Sequence, residues 1–113
     1  QVKYKKIILK NIVIKVEVGS QLSIKDFKQK YNEEQQFYEA LKHCTTTKKA
    51  LCKALDINID NACRYKRELE KNGHLVQSIN KVLCPFTRYR ANLLSTNSND
   101  FESLLKTNQL KLF

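Results

Sequence analysis

The sequence predicts a small α+β domain in which a group of helices is followed by a β-hairpin. A length of 113 residues suits one domain with short extensions. Apolar residues recur at helical spacing through the middle of the chain, and helix-capping residues precede each such stretch. After Gly73 the pattern changes to two stretches typical of strands, separated by a turn that contains Pro85. We therefore expect a three-helix core and a hairpin, with an extra N-terminal strand and a short C-terminal helix.

Residues 1–31 predict a strand and then a short helix. The segment from Ile7 to Val18 is rich in Ile and Val, and its second half alternates apolar with polar residues, as a strand does. Ile24 to Tyr31 predicts a short helix with Ser23 as its N-cap. We treat this region as an extension of the domain and as a possible dimerisation arm.

The central part of the chain predicts three helices. Asn32 is suited to cap a first helix from Glu33 to Cys44, with Gln35 in the capping-box position. The Thr45-Thr46-Thr47 run precedes a second helix from Lys48 to Leu55, and Asp60 is expected to cap a third that runs to Asn72. Gly73 then occupies the position where helices often end in a left-handed residue. The inward stripe of the third helix is expected to contain Ala62, Tyr65 and Leu69.

The hairpin is predicted from two strands, Leu75 to Cys84 and Arg90 to Ser95, with residues 85–89 between them. A last short helix around Asp100 to Lys106 would be capped by Asn97 or Ser98. The expected organisation is an extension over 1–31, a domain over 32–96 and a helix or tail over 97–113.

The charge points to a polyanionic partner. The formal net charge is +10, and the first 31 residues contribute +6, residues 32–74 contribute +1 and residues 75–113 contribute +3. A strongly basic protein attracts nucleic acid or an anionic surface, although a nonspecific basic surface is the simpler alternative. No stretch has the apolar length needed to span a bilayer. We expect a cytoplasmic protein without a membrane partner.

Several function classes lack their sequence signals. Cys44, Cys52, Cys63 and Cys84 form no C-x-x-C pair and match no common zinc module, so we expect reduced, buried thiols and no metal. There is no P-loop, no G-x-S-x-G and no H-E-x-x-H motif, and the two histidines lie in unrelated contexts. We therefore expect no catalysis, no cofactor and no small-molecule ligand.

The stretch from Thr46 to Gln77 resembles the winged helix-turn-helix family. It contains a Thr-capped helix with a Leu-x-x-Ala-Leu core, a turn with Ile, and a helix that closes in Leu-Glu-Lys-Asn-Gly before a strand. The following KVLCPFTRYRANLLSTN is similar to the wing hairpin of small, largely uncharacterised bacterial proteins, including those of phages and mobile elements. The resemblance covers residues 33 to 96. It implies a transcriptional regulator that binds specific double-stranded DNA, with Asp60–Asn72 in the major groove and residues 82–95 as the wing.

The candidate DNA contacts fall into two groups. A recognition helix that buries Ala62, Tyr65 and Leu69 turns its other side toward base edges, where Arg reads guanine and Asn reads adenine. The base-reading candidates are therefore Asn61, Arg64 and Arg67. The phosphate-binding candidates lie at the start of the second helix, at the end of the third and at the hairpin tip: Thr46, Thr47, Lys48, Lys49, Lys71, Arg88, Tyr89 and Arg90.

Other interpretations remain open at this point. Arg64 and Arg67 could serve only solubility, paired with Glu68 or Glu70, and the Thr run could be no more than a helix cap. The alternative function is a winged-helix adaptor of a phage or mobile element that contacts protein and does not read DNA. RNA binding ranks third, because only Phe86 and Tyr89 are candidate stacking platforms.

The predicted N-terminal strand suggests a homodimer. A strand over Ile7 to Val18 would carry more apolar residues than one exposed strand should, and a lone strand cannot satisfy its own backbone groups. It could pair with the hairpin of its own chain or with a second chain. We expect the second arrangement, because a two-fold dimer would present paired recognition helices to DNA.

Overall fold

The protein is an α+β fold in which helices surround one core and a two-stranded hairpin lies on one side. The structure, a computed structural model, describes residues 2–84 and 87–111, with side chains for 5–84 and 87–105. Within these residues there are six helices and two strands. They are α1 (Val2–Ser20), α2 (Ile24–Lys30), α3 (Glu33–His43), α4 (Lys48–Leu55), α5 (Ile59–Lys71), β1 (Val76–Leu83), β2 (Arg90–Ser95) and α6 (Ser98–Lys111).

The prediction of an N-terminal strand is wrong, because the segment is a helix of 19 residues, α1. Its inner face repeats every four residues: Ile8 is half-buried, and Ile12 and Val16 are buried in the common core. This face packs on α4, α3 and α2. Burial of an i, i+4 stripe outweighs the β-propensity of Ile and Val, which is itself strongly dependent on context. A dimer formed by strand pairing therefore has no basis in this fold.

Local capping determines where the central helices begin. Ser23 caps α2, Asn32 caps α3 in a full capping box with Gln35, and Thr47 caps α4, as predicted. The prediction for α5 is wrong by two residues, because the cap is Asn58, whose side-chain oxygen accepts from the backbone N–H of Asn61. Asp60 instead lies in the first turn, where its charge favours the helix dipole.

The connection between α4 and α5 is a three-residue turn. Asp56 adopts left-handed backbone angles (φ 55°), and the apolar Ile57 is buried beneath the turn. Gly73 follows Asn72, the C-cap of α5, and adopts left-handed backbone angles (φ 77°), so the predicted left-handed glycine is confirmed.

The hairpin pairs β1 with β2 in antiparallel register, with Leu83 opposite Arg90 and Val76 opposite Ser95. A bulge interrupts the ladder between Gln77 and Lys81, where the Ser78 hydroxyl accepts from the backbone N–H of Leu93. β2 is also bridged to the segment before α4, because the Leu94 N–H donates to the Thr46 carbonyl at 2.8 Å. The hairpin is thereby attached directly to the N-terminal end of α4.

One core joins α1 to α5 and the hairpin. Each of these elements contributes a fully buried side chain, and the largest include Val16, Phe27, Phe37, Leu41, Leu51, Leu55 and Leu94. The C-terminal helix packs mainly against β1, and Leu104 is its buried residue among those with described side chains. The prediction of a short C-terminal helix is confirmed in kind, although the helix is longer than expected.

Gly19 is required where the end of α1 passes His43. A Cβ added at Gly19 would lie 2.7 Å from the Cβ of His43 and closer still to its ring. We predict that Gly19→Ala lowers the free energy of unfolding by about 1–3 kcal/mol, because overpacking outweighs the gain in helix propensity. Urea denaturation measures the change.

A double-mutant cycle with His43→Ala tests the cause of this loss. The added methyl group should cost much less when His43 is already Ala, because the obstructing ring is gone. Gly73→Ala is the matched control: nothing lies within 4 Å of that site, so its cost comes from the positive φ alone and His43→Ala should not reduce it. An equal loss from Gly19→Ala in both backgrounds would contradict the steric explanation.

Candidate nucleic-acid interface

Three exposed cations form a row along α5. Arg64, Arg67 and Lys71 are separated by three and four residues, so they lie on one face of the helix. The opposite side carries the predicted inward stripe, in which Ala62 is buried and Tyr65 and Leu69 are half-buried against the core. This arrangement gives α5 one face that contacts the protein and one that faces outward.

The Asn61 side chain forms two hydrogen bonds within the protein. Its Nδ2 donates to the Glu33 carboxylate at 2.9 Å, and its Oδ1 accepts from Arg64 at 3.1 Å. The sequence-based prediction placed Asn61 beside Arg64 and Arg67 as a direct contact. In the structure it belongs to a chain of hydrogen bonds that links Glu33 of α3 to the Arg64 guanidinium.

Glu33 is the centre of that network. One of its oxygens accepts from Asn61 and from the Tyr65 hydroxyl at 2.8 Å, and the other accepts from the Asn58 N–H at 3.3 Å. The hydrogen bonds from Asn61 and Tyr65 lower the pKa of Glu33 below its ordinary value of 4.5, since they favour the charged form. The carboxylate thus joins the start of α3 to the start of α5.

A basic groove lies between the start of α4, the side of α5 and the hairpin. Its volume is about 240 Å³. The described side chains that line it include five cations and no carboxylate: Lys48, Lys49, Lys66, Lys81 and Arg90. Among these, Lys66 also forms an ion pair with Glu70 at 3.3 Å, and Lys48 donates to the Cys63 sulfur at 2.9 Å. We refer to these five residues as the groove cations.

The groove contains two cations that the sequence did not single out. Lys66 belongs to α5, and Lys81 projects from β1 toward the same space as Arg90. Neither lies in a motif, so only the packing of the hairpin against the helices brings them together. The alternation of β1 was the available signal for Lys81, because it places this residue on one defined face of the strand.

The two predicted threonine contacts face inward. Thr46 and Thr47 are buried, and the Thr47 hydroxyl accepts from the Ala50 N–H and lies 2.9 Å from the Cys84 sulfur. These side chains support the helix start and the hairpin. The two threonines are therefore not part of the proposed interface.

The hairpin tip is exposed. Arg88 adopts φ 68°, and its N–H donates to the Cys84 carbonyl at 2.9 Å, which closes the turn. Tyr89 is 77% exposed and Arg90 is exposed beside it. Phe86, the other aromatic candidate of this turn, lies outside the described residues.

Acidic side chains collect on a different side of the molecule. A groove between α3 and α5 is lined by Glu34, Glu39 and Glu68, together with Tyr31 and Tyr38. The carboxylates of Glu34, Glu39 and Glu68 are therefore on a different side from the groove cations, whereas Glu70 of α5 is paired with one of those cations, Lys66. The nearly neutral charge of residues 32–74 conceals this division between a basic and an acidic side.

The four cysteines are free thiols, of which Cys44, Cys52 and Cys84 are buried and Cys63 is half-buried. Burial raises the pKa of the Cys52 thiol to about 11. No group of three or more His, Cys, Asp or Glu side chains in the described part of the chain could hold a metal ion. Over the same residues, no helix has the length and apolar character to cross a membrane.

Comparison with protein-family models, with curated proteins and with solved structures finds no match to this chain. Its geometry and charge are therefore the basis for a proposed function.

The Glu33 network predicts a pH dependence of stability. Because the pKa of Glu33 is lowered on folding, its contribution is present above about pH 4.5 and is lost as the pH falls through the folded-state value. We predict that the free energy of unfolding of Glu33→Gln falls less steeply than that of the wild type between about pH 5 and pH 3. Urea unfolding at a series of pH values measures this. Glu34→Gln, which removes an exposed carboxylate one residue away, should keep the wild-type slope.

Proposed function

We propose that this protein binds double-stranded DNA as a winged helix-turn-helix domain, with α5 in the major groove and the β1–β2 hairpin as the wing. The observation that carries the proposal is the position of the cations. The exposed row on α5 and the groove cations lie on adjoining surfaces of the same helix and the hairpin, whereas the acidic groove is on the α3 side. A surface divided in this way suits the phosphate backbones that border the major groove of a duplex.

The order of elements supports the proposal. A helix is followed by the Thr46 bridge to β2, then by two helices joined by a short turn, and then by the hairpin. This order agrees with the winged helix-turn-helix plan, in which the second helix of the pair reads DNA. The Thr46 bridge and the Thr47–Cys84 contact hold the hairpin next to the start of α4, so that wing and helices act on one surface.

The proposed roles follow from side-chain chemistry. Arg64 and Arg67 are the base-reading residues, because exposed guanidinium groups bond guanine edges bidentately. Lys71, Arg88 and the groove cations contact phosphates. Asn61 acts through Arg64, by accepting its N–H, and is a positioning residue. A transcriptional regulator is the role that such a protein would serve.

Duplex binding across a salt series tests the proposal. The purified chain is titrated against random-sequence duplex DNA at several salt concentrations, and site selection then identifies a preferred sequence. We expect the logarithm of affinity to fall linearly with the logarithm of salt concentration, because neutralised phosphates release counterions. If duplex DNA does not bind at low salt, the proposal is wrong, and an adaptor for protein contacts is the alternative to test. A clear preference for single-stranded RNA would also overturn the proposal.

Base reading predicts a loss confined to the preferred site. Arg64→Ala should weaken binding to the selected sequence by about 1–3 kcal/mol and relax the sequence preference of the protein. The free energy of unfolding should stay unchanged. The control is Lys25→Ala, which removes an exposed cation from α2 and should leave the preference intact. If Arg64→Ala keeps full affinity and preference, α5 does not read bases through this residue.

Phosphate binding by the groove predicts a different change. Lys49→Ala with Arg90→Ala should weaken binding to all duplexes alike and reduce the salt slope by about one for each phosphate that is no longer neutralised. Fluorescence anisotropy with matched specific and random duplexes separates this effect from that of Arg64→Ala. An unchanged salt slope would place the groove away from DNA.

A further inference from the structure

The outer face of α1 carries an apolar stripe that nothing in the described chain covers. Ile7, Ile14 and Val18 are 56%, 44% and 73% exposed, although they belong to a helix whose inner face is packed into the core. Together with Asn11 they occur at intervals of four, three and four residues, so they form one line along the helix. We call Ile7, Asn11, Ile14 and Val18 the outer stripe.

This spacing is that of a coiled-coil seam. An a/d repeat alternates intervals of three and four, and a single Asn among apolar seam residues is a known means of specifying register and partner number. The seam is short, which suits a weak and reversible contact between two copies.

The charges beside the stripe select an antiparallel pairing with another α1. If Ile7 lies opposite Val18 of a second copy, Asn11 lies opposite Ile14 and both Asn11 side chains flank the two-fold axis. Lys10, which is exposed, then falls beside Glu17 of the second copy, and the reverse pair forms by symmetry. One oxygen of Glu17 accepts from the Ile24 N–H at 2.8 Å, which orients the carboxylate, and a carboxylate can accept further bonds. In a parallel pairing the flanking residues would be Lys10 and Lys15, which repel each other.

We propose that the outer stripe of α1 is a self-association surface, and that its occupant is α1 of a second copy of this chain, antiparallel, with Lys10–Glu17 pairs on both sides of the two-fold axis. Unlike the strand pairing predicted from sequence, this contact needs no free backbone edge. It lies outside the proposed DNA interface and does not depend on it.

The oligomeric mass gives the first test. Sedimentation equilibrium of the 113-residue chain, up to about 100 μM, should fit a monomer–dimer equilibrium with a 13.2 kDa monomer. Ile14→Asp should raise the dissociation constant at least about tenfold, because it places a charge in the seam. The matched control is Ile79→Asp, since Ile79 is 46% exposed on β1 and lies outside the stripe. A wild type that stays monomeric, or a control that dissociates as much as Ile14→Asp, overturns the proposal.

Charge reversal tests the orientation. Lys10→Glu and Glu17→Lys should each weaken self-association, because each places like charges opposite one another, and an equimolar mixture of the two variants should form a heterodimer. Circular dichroism is used to check that both variants stay folded. The double reversal restores opposite charges and should therefore dimerise like the wild type. Homodimers unaffected by either single reversal, or a mixture that does not associate, would overturn the antiparallel arrangement.

The same variants test whether the outer stripe instead binds a membrane surface. Monomeric protein that cosediments with anionic lipid vesicles, and loses this property in Ile14→Asp, would assign the stripe to a membrane surface and overturn the proposal. DNA binding is measured separately on the Ile14→Asp variant. Because that variant leaves α5 and the groove cations unchanged, failure of self-association and failure of DNA binding give different results.

Discussion

The fold depends on the burial of α4, a helix too short to be stable alone. Isolated helices of eight residues do not persist in water, because nucleation is costly and few bonds repay it. Four of its residues, Ala50, Leu51, Cys52 and Leu55, are buried, and α1, α3 and α5 all pack against it. The cap by Thr47 and the contact of Thr47 with Cys84 then join its first turn to the hairpin. Loss of this packing would release α5 and the hairpin together.

The position of α5 follows from α4 on one side and from Glu33 on the other. The short turn, with Ile57 buried beneath it, determines where α5 begins. The Glu33 carboxylate then accepts hydrogen bonds from the cap residue Asn58 and from Asn61 and Tyr65 of α5. Glu33, the first residue of α3, therefore has a structural purpose. It orders the side of α5 that faces α3. Through Asn61 it also restricts the side chain of Arg64 on the outward face. A side chain that is already restricted loses less conformational entropy if it binds a ligand.

The basic groove shows how a nearly neutral segment can present a strong local potential. Residues 32–74 carry a net charge of +1, yet three of their carboxylates line the α3–α5 groove and three of their lysines line the groove beside the hairpin. Lys81 and Arg90 then add two charges from the hairpin. Charges within a Debye length of one another act together on a ligand, so their placement matters more than the total.

The sequence alone determined the parts of this protein that depend on neighbouring residues. The starts of α2, α3 and α4, the left-handed Gly73 and the hairpin strands all rest on caps and turns that a few residues encode, and all were predicted. Only the tertiary structure decided that Ile7 to Val18 is helical, because β-branched residues favour strands locally and the burial of Ile12 and Val16 against distant helices reverses that preference. It likewise brought Lys66 and Lys81 into one groove and held Asn61 against Glu33. These contacts join residues far apart in the chain, and no local pattern encodes them.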